Sequence, residues 1–512
     1  MPKPVADPMM QMNLSQTIWA HAKARPHSVA VSDPSRSVSY RELHEGSGRL
    51  ARALAVAGLA RGERVALLSE NSCAAAEAFV GVVKAGGIFV PLNTRAGAGG
   101  LRDLLAICNP RFLLVSDRYV DMAREALGAG AETRLVPLDQ AAEVLADGLP
   151  AEAVPLPDPD GEATATLVFS SGTSGVPKGV VTSQRKLLHL FGQHVRHCGL
   201  GPQDRLHLTM PMFHYAGLAG VLGAGLVAGA RVVCYDGRFD PERVLDEAAK
   251  NGITVEHWIP TTILRVVNLL EEKPRTLSAL RALHFGSMPI SSRLLARLRA
   301  VLDVELVQLY GSTDCGLIAR SEDLRDVRNE GYMRLIPDSG CRIVDAKGAD
   351  VPAGEAGEVA VREQISGMTG YWQDPNRTAT AIRDGLIHSG DFARNLGEGR
   401  IVLLGRGDGM IISGGENIYP AEVEDMIAGH PAVREACVVG RDDEEFGQAV
   451  VAVVVLREGA SLTLDELREF GRRTCPSYML PRDLLIVPEL PRTASGKVAV
   501  AAVRDGIRNI NP

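Results

Sequence analysis

Apolar and polar positions in the first third of the chain alternate between two periods. Residues 46–58 (GSGRLARALAVAG) and 74–86 (AAAEAFVGVVKAG) carry small and apolar residues at helical spacing. Around them stand short continuous apolar runs, RVALLS (64–69), IFVPL (88–92) and RFLLVSD (111–117). Unbroken apolar strands alternating with helices predict a largely parallel sheet covered on both faces. The alternation resumes after an acidic, proline-rich stretch at 154–164, with a strand at 166–169, a helix around 184–198 and a strand at 304–310. Between 340 and 365 the runs CRIVD and GEVAVRE flank a Gly/Pro turn, the pattern of antiparallel strands.

A smaller unit begins near Arg406, with helices at AEVEDMIAGH and LTLDELREFGRR and strands at REACVVG, AVVAVVVL and DLLIVPEL. The expected architecture is α/β: a large N-terminal domain of parallel and mixed sheets flanked by helices, residues 1–405, then a small α+β domain, residues 406–512. The longest apolar run, Ala216 to Ala230, holds five glycines and is too short for a bilayer span. It predicts a buried, tightly packed helix and no membrane span.

Composition narrows the function classes. Lys and Arg number 55 against 62 Asp and Glu, a net charge of −7 that argues against a general nucleic-acid binder. The eight cysteines form no Cys-x-x-Cys pair, so no zinc or dithiol motif is signalled, and scattered thiols suit a reduced compartment. MPKPVADPMMQMN has no apolar core of signal-peptide length, and a cytoplasmic location is expected.

The most informative stretch is Phe169 to Gly179, FSSGTSGVPKG. Glycines admit backbone N–H groups close to an anion, hydroxyls add donors, and Lys178 adds charge. Phosphate is the natural guest, although the usual Gly-x-x-x-x-Gly-Lys-Ser/Thr loop is absent. On composition alone a flexible Ser/Gly linker fits equally well. Further along stand PMFHYAGL (211–218), HFGSMPI (284–290), QLYGSTDCG (308–316), HSGDFA (388–393), GRGDGMIISGGENIYPAEVE (405–424) and PRTASGKV (491–498).

In this order, along nearly the whole chain, these segments resemble the motifs of the adenylate-forming superfamily: acyl- and aryl-CoA ligases, nonribosomal-peptide adenylation domains and luciferases. The resemblance implies ATP-dependent formation of an acyl-AMP from a carboxylic acid, then transfer to the thiol of coenzyme A. ATP, Mg²⁺ and coenzyme A are the implied cofactors. It assigns the β- and γ-phosphates to Ser170, Ser171, Gly172, Thr173, Ser174, Gly175 and Lys178, and the bridge between acid and α-phosphate to Lys497. Gly286, Ser287, Gln308, Leu309, Tyr310 and Gly311 are implied around adenine, Thr313 at the α-phosphate, and Asp391 and Arg406 at the ribose. Thr173 and Asp314 are implied at the metal.

Phe213, His214, Tyr215, Gly311 and Cys315 are expected at the acid, with Trp258 a weaker candidate. Ser413, Gly414 and Gly415 are implied beside the pantetheine tunnel, and Asp408 at the hinge of a mobile C-terminal domain. Two departures stand out: Asp314 where the family usually has Glu, and Gly409 where relatives often carry an acidic residue. The segment Gly405–Gly409 then holds three glycines in five positions, which are expected to relax the φ/ψ limits of a hinge. No Asp follows the aromatic of the 211–218 motif, which favours an acid without an α-amine. Alternatives stay open: a stand-alone enzyme loading an acyl-carrier protein, a half-reaction enzyme, or a nucleotide-sensing scaffold. A homodimer is compatible with the resemblance.

Overall fold

The computed structural model describes residues 13–128, 131–146, 155–156, 160–170, 177–288, 290–413, 416–443, 446–472, 475–492 and 498–508. The expected alternation is present. Strands Arg64–Leu68, Ile88–Pro91 and Phe112–Val115 are separated by helices Cys73–Lys84 and Gly97–Cys108. The first of the expected helices starts earlier than residue 46, at Tyr40, and runs to Val56. Its start is fixed by a capping box: the Glu42 amide donates to the Ser39 hydroxyl while Glu42 Oε2 accepts from the Ser39 amide at 2.7 Å.

The sheets are more mixed than the first-third pattern predicts. In a 14-stranded sheet, six neighbouring strands run parallel, from Val29–Ser32 through Arg231–Cys234, Arg205–Leu208, Val255–Trp258 and Ala282–Gly286 to Glu305–Ser312. From Gly316–Arg320 onward the sheet continues antiparallel, and Cys341–Val344 pairs antiparallel with Ala356–Arg362 as the sequence pattern requires. One face is covered by Tyr40–Val56, Cys73–Lys84 and Gln184–His197 through Leu50, Val80 and Leu187; the other by Pro241–Asn251, Pro260–Glu272 and Ser292–Val301 through Val244, Val266 and Leu298. A second sheet of seven strands places Thr164–Ser170 beside Ile88–Pro91. The large sheet reaches Arg406 at the end of strand Arg400–Arg406; after a turn at Gly407–Gly409, Ile411–Ser413 opens a separate five-stranded sheet.

The apolar run at 216–230 is buried, as expected, but as a wide-wound π-helix, Ala216–Gly223, leading into a short α-helix, Ala224–Ala228. A Cβ on Gly217 would sit 2.4 Å from the Pro211 carbonyl oxygen, and one on Gly223 2.3 Å from the Phe191 ring. Contact this close is why the run needs glycine. Among the described residues no helix is long and apolar enough to cross a membrane. The eight cysteines are all free thiols.

A buried ion pair ties the parallel strands together. His207 Nδ1 lies 2.8 Å from Glu256 Oε1, both side chains fully buried, and His207 Nε2 lies 3.7 Å from Glu247. Burial disfavours the imidazolium, but the Glu256 and Glu247 carboxylates outweigh it and raise the pKa to about 9. A folded-state pKa above the ordinary 6.5 stabilises the fold fully below pH 6.5 and loses that contribution as pH rises through about 9. Glu256→Gln is expected to cost about 3 kcal/mol in urea unfolding at pH 6, as for other broken buried pairs. The difference from wild type should narrow between pH 8 and 10; a gap independent of pH would mean that the pair is not ionic.

Candidate active site

Strands Thr164–Ser170 and Lys178–Ser183 pair antiparallel, with Ser170 directly opposite Lys178. Lys178 therefore opens a returning strand, where a conventional phosphate loop would enter a helix. Ser171, Gly172, Thr173, Ser174 and Gly175 lie outside the described residues. A two-residue strand, Gly370–Tyr371, adds to this hairpin, opposite Val181 and Val180, and the Trp372 amide donates to the Gly179 carbonyl at 2.8 Å. The pairing sets the Tyr371 ring under Lys178, with Nζ 5.4 Å from the ring centroid. The Tyr371 hydroxyl donates to Asp314 Oδ2 at 2.7 Å. Burial, then the Asp314 charge, push the Tyr371 pKa well up, so the phenol holds its proton and stays a donor.

Sequence reasoning missed Tyr371. The available signal was an adjacent Tyr-Trp pair in a chain with only 4% aromatics, just ahead of an Asp-Pro helix start.

Asp314 lies in the turn 313–315 that follows strand Glu305–Ser312, which carries Tyr310. The Tyr310 hydroxyl donates to Asp391 Oδ2 at 2.7 Å, and Arg406 Nη1 lies 3.6 Å from Asp391 Oδ1. Asp391 and Arg406 face each other across adjacent strands, Leu386–Gly397 and Arg400–Arg406. Burial and then the Asp391 charge raise the Tyr310 pKa well above its ordinary value. The bend that presents Asp391 is held by a residue absent from the motif reading, Glu358. Its Oε2 lies 2.7 Å from His388 Nδ1, and its Oε1 accepts the Gly390 amide at 3.1 Å. Ser389 Oγ accepts the Asp391 amide at 3.0 Å, and Arg406 Nη1 donates to the Ser389 carbonyl at 2.9 Å.

Close backbone approach shapes the ground between these clusters. A Cβ on Gly286 would sit 2.5 Å from the Leu309 carbonyl oxygen, and one on Gly311 2.3 Å from that of Gly316. Ser287 is exposed with φ of 70°, a left-handed conformation that costs a serine free energy and recurs at ligand-gripping loops. Leu309 is buried, the Gln308 amide donates to Ser321 Oγ, and Thr313 is half-buried in the same turn as Asp314.

On the acid side, the Phe213 and His214 rings lie 4.6 Å apart, and the Tyr215 hydroxyl is 3.2 Å from Thr182 Oγ1, on the strand that Lys178 opens. Two weaker candidates sit elsewhere. Cys315 is fully buried in an apolar core with Ile318, Met368 and Ile387, where burial pushes its thiol pKa well up. Trp258 packs in the core on the opposite face of the large sheet.

Ser413 is buried in the small sheet, opposite Gly447, and Gly414, Gly415 and Lys497 lie outside the described residues. Asp408 occupies a 3₁₀ turn, Gly407–Gly409. Of the three glycines in the 405–409 segment, Gly405 has positive φ, at 105°, and Gly407 is closely packed, its Cβ position lying 2.5 Å from the Phe392 ring. The first helix of the small unit, Pro420–Ala428, reaches the Asp391 strand: the Tyr419 and Phe392 rings are 5.9 Å apart and Arg394 meets Glu422 at 3.1 Å.

The chain is similar to known proteins along nearly its whole length. The model of the AMP-binding enzyme family matches residues 18–372, and that of the AMP-binding enzyme C-terminal domain residues 422–497. An indoleacetate–CoA ligase of Aromatoleum aromaticum is 36% identical over 505 residues, covering 96% of this chain and 98% of that protein. A feruloyl-CoA synthase of an Amycolatopsis species is 33% identical over 494 residues, covering 95% and 98%. The crystal structure of ATP-bound MatB from Rhodopseudomonas palustris superposes with a TM-score of 0.86 at 28% identity, covering 98% of this chain and all of that one. With both family models matched in order and relatives of this identity aligned end to end, the chain belongs to the AMP-binding enzyme family, within the adenylate-forming superfamily.

Proposed function

We propose that this chain is an AMP-forming acid–thiol ligase: it joins a carboxylic acid to AMP at the expense of ATP, then hands the acyl group to the thiol of coenzyme A. The observation that carries the reading is the Tyr310–Asp391–Arg406 cluster, an ionic and hydrogen-bonded junction built from strands nearly a hundred residues apart. A carboxylate whose oxygens are already oriented by Tyr310 and Arg406 suits a ribose diol, whose two hydroxyls donate to it. Gly286, Ser287, Gln308, Leu309 and Gly311 border the adenine beside Tyr310, and Thr313 serves the α-phosphate.

In the first half-reaction an oxygen of the acid attacks the α-phosphorus, the bond to the β-phosphate oxygen breaks, and pyrophosphate leaves. Catalysis here is positioning and charge stabilisation. Lys178 and residues 170–175 grip the departing phosphates. Lys497 spans the acid carboxylate and the α-phosphate, offsetting charge that gathers on both. In the second half-reaction the thiol sulfur attacks the acyl carbon, the thiol proton is lost and AMP leaves.

Among the described residues no group of three or more His, Cys, Asp and Glu is placed to hold a metal ion. Asp314 alone fits Mg²⁺ that arrives with the nucleotide, because Mg²⁺ keeps waters and phosphate oxygens and needs few protein ligands. Asp314, with Thr173, would hold it, and Tyr371 would fix which Asp314 oxygen faces it. When bound, Mg²⁺ offsets charge on the phosphates. The acid lies against Phe213, His214 and Tyr215; relatives named for indoleacetate and feruloyl groups support an aromatic acid. We place the domain boundary between residues 405 and 406, with Asp408 the pivot that swings Ser413, Gly414 and Gly415 beside the thiol.

The founding test is a panel of acids with ATP and Mg²⁺, scored separately for pyrophosphate release and for acyl transfer to coenzyme A or to a phosphopantetheinylated carrier protein. Release without transfer to coenzyme A would overturn the acceptor; no release with any acid would overturn the ligase. Lys497→Ala should slow adenylation by ~100-fold, about 2.7 kcal/mol, and spare thioester formation from supplied acyl-AMP. Equal losses in both steps would contradict two domain positions.

Tyr371→Phe removes one donor to a charged group, an effect of about 1.5 kcal/mol. Adenylation should fall by ~10-fold and the Mg²⁺ requirement should rise. An unchanged Mg²⁺ titration would detach Asp314 from the metal. Asp408→Pro fixes φ and should trap one domain position, with near-normal single-turnover pyrophosphate release and acyl transfer slowed by more than ~10-fold. Small, equal effects in a folded variant would show that residue 408 is no pivot.

A further inference from the structure

Three histidines meet beneath the acid-binding segment, and nothing in the mechanism above uses them. His257 and His284 are register partners on the parallel strands Val255–Trp258 and Ala282–Gly286, with ring centroids 5.9 Å apart and nearly perpendicular. Strand alternation puts both on the same face as Gly286, on the side opposite Trp258. His284 therefore lies one pleat period, roughly 7 Å, before the glycine that borders the nucleotide. His194 comes from helix Gln184–His197 and converges on the same spot from above. A Cβ on Gly220 would lie 3.3 Å from His194 Nε2 and 3.4 Å from His257 Cε1. Gly220 belongs to the π-helix that begins directly after Tyr215, so this spot is continuous with the Phe213–Tyr215 segment. Such wide turns recur at functional sites.

All three rings are buried and neutral. Burial lowers the pKa of His194 to about 4 and of His257 to about 3, and holds that of His284 well below the ordinary value. His194 Nδ1 lies 3.0 Å from the Leu190 carbonyl, which can only accept, so Nδ1 carries the proton and Nε2 presents a lone pair. His284 Nε2 is buried with no hydrogen-bond partner. Ordinary core packing satisfies such atoms, and one left unpaired costs free energy that a bound group can recover.

We infer that His194, His257 and His284 form the remote wall of the acid site, and that the acid carries a hydrogen-bond donor, a hydroxyl or ring N–H, at the end away from its carboxylate. The inference rests on the ligase reading above and refines its substrate class. His194 Nε2 calls for a donor. Three neutral imidazoles offer no positive charge to a second carboxylate, and a plain alkanoic acid would leave His284 Nε2 unpaired.

The test uses the full-length enzyme with ATP and matched acids: 3-(4-hydroxyphenyl)propanoate against 3-phenylpropanoate, indole-3-acetate against its N-methyl derivative, and octanoate. The expected result is a preference of at least ~10-fold in kcat/KM for pyrophosphate release for the donor-bearing member of at least one pair, with octanoate no better than the donor-free acids, since a site built to hydrogen-bond a group rejects the analogue lacking it. His194→Phe should bring that ratio to about 1, and His194→Gln, which keeps an acceptor, should restore most of it. A wild-type ratio below ~10-fold in both pairs, or a ratio that His194→Phe leaves unchanged, overturns the inference while leaving the ligase intact. The wild-type ratio needs no variant, so a misfolded variant does not spare the proposal. No pyrophosphate release with any acid overturns the ligase reading and this inference together.

Discussion

The Asp391 carboxylate is the point through which the rest of this molecule is organised. It is held from one side by the Tyr310 hydroxyl, at the end of the parallel part of the large sheet, and from the other by Arg406, at the end of its antiparallel extension. Neither strand alone positions it. The bend His388–Gly390 turns on Glu358, which holds an imidazole and a backbone amide at once, and Ser389 closes the loop onto Arg406. A carboxylate so bound keeps its orientation before any ligand arrives, which is what pre-organised binding requires.

The same strand also seats the small unit, through Phe392 against Tyr419 and Arg394 against Glu422. Under the proposed two-position mechanism this seat must release within each cycle. A ring contact and a partly exposed ion pair suit that, since pairs of this kind contribute only about 0.2–1 kcal/mol. The buried His207–Glu256 pair serves the opposite purpose. It lies between parallel strands of the large sheet, and its separation would leave a charge stranded in the core. Rigid scaffold and releasable seat are thus distinguished by the burial of their charges.

Much of the architecture was legible in the residues. Continuous apolar runs announced the parallel strands, and CRIVD and GEVAVRE announced an antiparallel pair that the sheet contains. The early start of Tyr40–Val56 was also readable, because Ser39 and Glu42 stand at capping-box spacing; apolar periodicity alone hid it. Glycine in the 405–409 segment was read as backbone freedom; Gly405 takes a left-handed conformation, and Gly407 in addition answers to close contact with the Phe392 ring, which the sequence did not show.

What the chain determined by itself is local: which segments extend, which coil, where a helix is capped, and the order in which polar motifs follow one another. These depend on neighbours within a few residues, so they survive translation into one dimension. Tertiary structure alone decided which polar atoms meet. Tyr371 reaches Asp314 and Lys178 because a two-residue strand happens to pair with a hairpin formed almost two hundred residues earlier. Cys315 and Trp258, plausible lining residues by proximity to the motifs, turn into apolar cores, Trp258 because strand alternation sends its side chain to the far face of the sheet. The three histidines converge for the same reason: a helix, two strands and a glycine in a π-helix share one point in space that no spacing in the sequence encodes.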